Sequence, residues 1–154
     1  LREQHPLPDR AAYPHWVRER IRWSDTDMLG HVNNLAIAAY CESGRTEFLR
    51  TVLAPAAAPR SLLLLAHLST SFLGEIHWPG EVDVGTGVLE VGRSSCRMGQ
   101  AVFAGDRCVS RSESVLVLID ERTRRPRAID DALRRILENF PVAAPPTTAP
   151  GGAS

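Results

Sequence analysis

The sequence predicts an α+β domain in which an antiparallel sheet of five strands wraps around one central helix. Three observations carry the prediction. Apolar or small residues recur at every fourth position through Ala36, Tyr40, Gly44, Phe48 and Val52, with Ile37, Cys41 and Leu49 widening the stripe, which is the spacing of a helix buried along one side. One stretch before this helix and four after it alternate with a period of two, and the turns Pro79-Gly80, Gly92 and Gly105-Asp106 between the later ones are too short for parallel crossovers. The only other helical pattern, Ile129, Leu133, Ile136, Leu137 and Phe140, is short and late, so the early helix is what the sheet has to wrap.

Composition narrows the function. A chain of 154 residues fits one domain, and with aromatics at 6% the core must be filled by Leu, Val and Ala. The formal charge is zero, which leaves no electrostatic footprint for nucleic acid or an anionic membrane. All 18 basic residues are arginine. Cys41, Cys96 and Cys108 are odd in number and widely spaced, without C-x-x-C or a metal-ligand pattern, so a reducing cytoplasm is the simplest setting. Leu62 to Leu65 is too short to span a membrane, and the first residues lack the layout of a signal peptide. The expectation is a soluble, cytoplasmic protein.

In chain order, residues 1–15 read as a loose polar arm, 16–140 as the domain and 141–154 as a Pro/Ala/Thr-rich disordered tail. Val17 to Trp23 is a strand with Val17, Glu19, Ile21 and Trp23 on one face and Arg18, Arg20 and Arg22 on the other, a solvated surface or a phosphate-contacting stripe. Asp25, Asp27, Gly30, Asn33 and Asn34 follow. Gly30 permits a turn at φ > 0, asparagines cap helix starts, and the helix is expected to begin near Asn34. Its free N–H groups and positive dipole end would face back toward the carboxylates, so a bound carbonyl would meet a donor on one side and an acid or base on the other. Glu42, Arg45, Glu47 and Arg50 gather on a wet helix edge, paired at i,i+3. Ala54 to Pro59 is a helix-ending linker. Leu62 to Trp78 reads as one long strand with its even positions buried; Val82 to Val88, Cys96 to Ala104 and Val109 to Ile119 complete the sheet, the last as a central or interface strand.

The pattern D-x-x-G-H-V-N-N from Asp27 to Asn34, followed by Glu42, Arg45 and the run E-S-G-R-T-E-F-L-R, resembles the hotdog-fold acyl-CoA thioesterases of the 4-hydroxybenzoyl-CoA thioesterase type, over roughly Val17 to Phe140. The resemblance implies hydrolysis of an acyl-CoA thioester to acid and thiol, without a cofactor or metal. Asp27 falls on the catalytic carboxylate, as general base or nucleophile, and Asn34 on the residue whose backbone N–H polarises the carbonyl. Arg93, Ser94 and Ser95 follow Gly92 where the family's pantetheine and phosphate contacts often lie. Arg97, four residues beyond Arg93, is expected on the same strand face as a second phosphate contact. The resemblance also implies a homodimer or homotetramer with sites built across a joined sheet edge. An acyl carrier protein thioesterase and a non-catalytic acyl-thioester binding module share these features. Ile37 stands where relatives often carry an aromatic, which leaves the shape of the acyl pocket open.

Other residues have plainer readings beside the functional ones. Asp25 is read as holding the loop through hydrogen bonds. His31 either orders that loop or serves as a second acid or base. A metal held by Asp25, Asp27 and His31 lacks further ligands at a recognisable spacing. His67 and His77 are expected at the surface or an interface, and Glu42 with Arg45 makes a natural helix-face pair.

Overall fold

The computed structural model describes residues 9–53 and 61–143. Strand β1 (His15–Ile21) leads through a 3-10 turn at Trp23–Asp25 to helix α1 (Asn34–Phe48), which ends in a π-helical turn at Leu49–Leu53. Strands β2 (Ser61–Phe72), β3 (Gly80–Val91), β4 (Ser95–Ala104) and β5 (Arg107–Asp120) follow, then helix α2 (Asp131–Glu138). The strands form one antiparallel sheet in the order β1-β3-β4-β5-β2, with α1 against β1, β3 and β4. This is the hotdog arrangement. The expected linker Ala54–Pro59 lies outside the described residues.

Helix α1 is seated by local chemistry at its start and by close approach at its middle. Asn33 is the N-cap, its side-chain oxygen accepting the Leu35 N–H at 2.8 Å. Ile37, Tyr40, Cys41, Gly44, Arg45 and Phe48 face inward. A Cβ on Gly44 would lie 2.7 Å from Val84 Cγ1 and 3.1 Å from Thr86 Oγ1, so only glycine lets the helix lie this near β3.

Beneath it the register aligns His15, Thr86, Gln100, Ser112 and Thr70 in one row across all five strands. The Gln100 amide donates to the Cys41 carbonyl (2.7 Å) and Thr86 Oγ1 (3.0 Å) and accepts from Arg45 Nη1 (3.1 Å). Ser112 Oγ lies 2.9 Å from Thr70 Oγ1 and 3.5 Å from Cys41 Sγ. This row corrects the expected wet edge. Arg45 is 5% exposed, drawn inward by the glutamine rather than outward by Glu42, and burial lowers its pKa. Only Glu47 and Arg50 pair as expected, at 2.6 Å.

Two strand boundaries also differ from the sequence reading. The first strand ends at Ile21 because the Asp25 carboxylate accepts the Arg22 N–H at 2.8 Å and folds Trp23–Asp25 into a turn, leaving Trp23 71% exposed. Arg18 on its outer face bonds cross-strand Asp83 at 2.8 Å, in keeping with a solvated arginine face. The long strand stops at Phe72, not Trp78: the N–H groups of Leu73 and Gly74 both donate to the Val109 carbonyl, turning the chain off β5. Its even side is not buried either. As an edge strand with a bulge between Leu65 and His67, β2 loses its alternation and exposes Leu64, Leu65, Leu68 and Phe72. Strand β5 is interior, between β4 and β2.

Within the stretch read as an arm, Asp9 caps a 3-10 turn at Arg10–Ala12, and Ala12 and Tyr13 are buried against Ala101, Phe103 and Cys108. After α2 the chain returns alongside: the Val142 N–H donates to the Val88 carbonyl and the Ala143 N–H to the Ala12 carbonyl, both at 2.8 Å.

Candidate active site

The loop between β1 and α1 is closed by its own polar groups. The Asp25 carboxylate accepts from the Arg22 N–H (2.8 Å) and the Tyr40 hydroxyl (2.6 Å), and its backbone carbonyl accepts from the Asn33 N–H (2.7 Å), tying the loop to the helix. Burial and then the Asp25 hydrogen bond raise the Tyr40 phenol well above its ordinary range, so it stays a donor. Two residues on, Asp27 Oδ1 accepts from the Leu29 N–H (2.8 Å) and, more weakly, the His31 N–H (3.4 Å), while the Asp27 N–H donates to the His31 carbonyl (2.9 Å). Gly30 closes this small turn at φ 78°.

The two aspartates use their carboxylates alike, each through one oxygen: both Asp25 bonds are made by Oδ2, and its Oδ1 has no hydrogen bond among the described residues. What separates them is position, since Asp25 ties the loop to the helix while Asp27 lines a cleft. Asp27 is half-buried, and its Oδ2 has no hydrogen bond among the described residues. It lines a cleft of about 470 Å³ with Trp23, Ser24, Thr26, Met28, Gly30 and Trp78, where the two indoles meet edge to face at 5.3 Å. Asn34 is the first residue of α1 and exposed; the cap belongs to Asn33, so the Asn34 N–H is among those with no partner inside the helix. Ile37 is 4% exposed and packs in the core with Ile21, Val32 and Ile76.

His31 lies beside a segment that spacing did not flag. Its Nε2 is 3.4 Å from Glu75 Oε2, its ring 5.0 Å from that of His77, and His77 Nδ1 is 3.1 Å from the Gly30 carbonyl. The signal in the sequence was Glu75-Ile76-His77, an i,i+2 pair that an extended chain puts on one side while Ile76 is buried on the other. The three cysteines are free and buried, and burial raises every thiol, Cys96 to about 12, so none is a ready nucleophile.

The second group of candidates sits elsewhere. The cleft is at the Gly80 end of β3, next to Ile21, whereas Gly92 and Arg93 follow its other end after 12 residues, roughly 35–40 Å away. Arg93 is an exposed turn residue rather than a strand neighbour of Arg97, its carbonyl accepting the Ile129 N–H at 2.8 Å. Ser94 and Ser95 use backbone carbonyls to hold the Leu118 and Gly92 N–H groups, each at 2.8 Å. Arg97, on β4, bonds Glu90 (2.9 Å) and Glu113 (3.0 Å).

Comparison with known proteins agrees with this frame. The family model of the Thioesterase-like superfamily matches residues 21–137. Among solved structures, the chain is similar to the PA5185 protein from Pseudomonas aeruginosa strain PAO1, at 26% identity over 90% of this chain and 99% of that one, with a TM-score of 0.79. It is also similar to a thioesterase complexed with coenzyme A and Zn from Thermus thermophilus, at 28% identity, 83% and 94% coverage and a TM-score of 0.72. A thioesterase superfamily protein from Jannaschia sp. CCS1 matches at 26% identity, 86% and 91% coverage and 0.72. No curated protein matches the chain. No helix among the described residues is long and apolar enough to cross a membrane. The chain therefore belongs to the Thioesterase-like superfamily, and that membership supports thioester hydrolysis as its general chemistry.

Proposed function

We propose that the chain hydrolyses an acyl-CoA thioester, with Asp27 as general base or nucleophile and the Asn34 backbone N–H polarising the carbonyl. The observation that carries this reading is the position of Asp27: of the two loop aspartates it is the one that lines the cleft, with one carboxylate oxygen held by the loop and the other without a partner among the described residues. As a base, Asp27 takes a proton from water while the water oxygen attacks the carbonyl carbon; the C–S bond breaks and the departing thiolate takes up the proton. As a nucleophile, it attacks the carbonyl carbon and expels the thiolate to form an acyl anhydride; water then hydrolyses the anhydride, releasing the acid and the Asp27 carboxylate and supplying the thiolate with its proton. Either route puts negative charge on the carbonyl oxygen, which a helix-start N–H is suited to meet. Coenzyme A is favoured as the thiol carrier by the Thermus thermophilus relative, itself a complex with coenzyme A.

The exposed leucines of edge strand β2 support a homodimer joined there. Contacts from Arg93, Ser94, Ser95 and Arg97 to the pantetheine and phosphates would then be made across subunits, since within one chain they lie at the far end of β3 from Asp27. The test is a screen of acyl-CoA chain lengths with detection of the released thiol, repeated with the best acyl group on plain pantetheine. Preference for the coenzyme A ester is expected. No thiol release from any acyl-CoA, or equal use of both carriers, would overturn the coenzyme A reading.

A further inference from the structure

We propose that His31, Glu75 and His77 form a binding site for a divalent transition-metal ion of the zinc class, which clamps the Asp27 loop to the segment that follows β2. The proposal is independent of the activity assigned above. Each of the three residues offers one ligand atom, and these atoms all lie within 4.8 Å of one another. Tetrahedral zinc with bonds near 2.0–2.2 Å holds its ligand atoms about 3.3–3.5 Å apart. His31 Nε2 and Glu75 Oε2 stand at 3.4 Å already, so the third ligand needs only side-chain adjustment.

The surroundings prepare the ligands. With His77 Nδ1–H donating to the Gly30 carbonyl at 3.1 Å, the proton is fixed on that nitrogen and the lone pair of Nε2 is free, the outer hydrogen bond that metal-binding histidines make. The backbone holds the two sides together: the Val32 N–H donates to the Ile76 carbonyl at 2.8 Å, placing His31 beside the Glu75–His77 pair. Arg107 Nη2 donates to the Glu75 backbone carbonyl at 2.6 Å, so this nearby cation is spent on the main chain, not on the carboxylate. Two imidazoles and one carboxylate are a donor set that suits zinc and leaves a fourth position for water.

Zinc would be added to chelator-treated full-length protein in competition with a chromophoric chelator, with thermal unfolding followed in parallel. The expected result is one zinc per subunit in the micromolar range or tighter, with a rise in Tm. Glu75→Gln and His77→Gln should each weaken binding by about tenfold or more. His67→Gln, on exposed β2, should bind as wild type does. Glu75 has a side chain 67% exposed, so its variant keeps the fold and its result stands even if His77→Gln is unstable. Absence of saturable zinc binding, or affinity unchanged in both cluster variants, would overturn the site and leave His31 and Glu75 a simple ion pair.

Discussion

The two ends of one helix divide the labour in this molecule. At its start, α1 follows a half-exposed loop held by local hydrogen bonds, and Asp27 of that loop lines a cleft. About three turns further on, the same helix is pressed so close to β3 that a methyl group has no room, and its arginine is buried on a glutamine. The first region leaves carboxylate oxygens without a partner among the described residues; in the second, Arg45, Gln100 and Thr86 are bonded together, though His15 Nδ1, Ser110 Oγ and Ser114 Oγ are buried without a partner. If Asp27 acts as proposed, chemistry and stability are separable along α1, and substitutions should report on one or the other.

The largest effect is expected at the loop. Asp27→Asn should cut turnover by about 10²–10⁴-fold, since an amide neither takes a proton from water nor attacks a carbonyl. Its oxygen still accepts from Leu29 and His31, so Tm should stay within a degree or two of wild type, roughly the reach of a few tenths of a kcal/mol. Steady-state thiol release and thermal unfolding measure the two halves, and a folded variant with full turnover would remove Asp27 from the chemistry.

At the buried end, Gly44→Ala should do the reverse. Overpacking against Val84, Thr86 and Gln100 costs about 1–3 kcal/mol, against a helix-propensity gain of at most ~1 kcal/mol, so denaturant unfolding should show net destabilisation. An equally or more stable alanine variant would show that the helix can lift off β3 freely.

Tyr40→Phe joins the two regions, because its hydroxyl is the strut between α1 and Asp25. Losing that charge-assisted bond should cost about 1–2 kcal/mol and also lower turnover, by loosening the loop. A variant that changes stability alone would show that the two regions are independent even across this bond.

The smallest effect concerns pH. Burial lowers the pKa of His15, which packs edge-on to Phe48 with its rings 5.4 Å apart. A depressed histidine favours the neutral folded form, so its contribution is present above the ordinary value of 6.5 and is lost as pH falls through the lowered folded value. Tm should decline from pH 6.5 toward 5 in the wild type and less in His15→Gln. Parallel curves would assign the slope to other groups.

Much of the loop was legible because its determinants are adjacent in sequence. Gly30 marks the turn, Asn33 the cap, and the period of α1 its buried side. What could not be read depends on distant strands. Arg45 looked solvent-facing beside Glu42, and only the arrival of Gln100 from β4 explains its burial. Trp23 and Trp78 fitted strand alternation but leave their strands at turns, one set by Asp25 and the other by the Leu73 and Gly74 bonds to Val109. Glu75 and His77 became neighbours of His31 only through the Val32–Ile76 hydrogen bond. Arg93 and Arg97 looked like a same-face pair until the turn separated them and Glu90 and Glu113 claimed the second.

The polar row from His15 to Thr70 also acts as an alignment gauge during assembly of the sheet. Because side chains alternate faces, a slip of β4 by one residue turns Gln100 outward and brings Gly99 or Ala101 under Arg45 and the Cys41 carbonyl, leaving both without the partner they require, while a slip of β5 turns Ser112 outward and brings the charged Arg111 or Glu113 beneath the helix. Misaligned sheets are thus penalised at one defined line, whatever the aliphatic packing around it would tolerate. Exchanging Thr86, Gln100 and Ser112 for apolar residues of similar size would keep much of the burial and give up that discrimination, an outcome that amide exchange along β3, β4 and β5 would register as weakened protection without loss of the sheet.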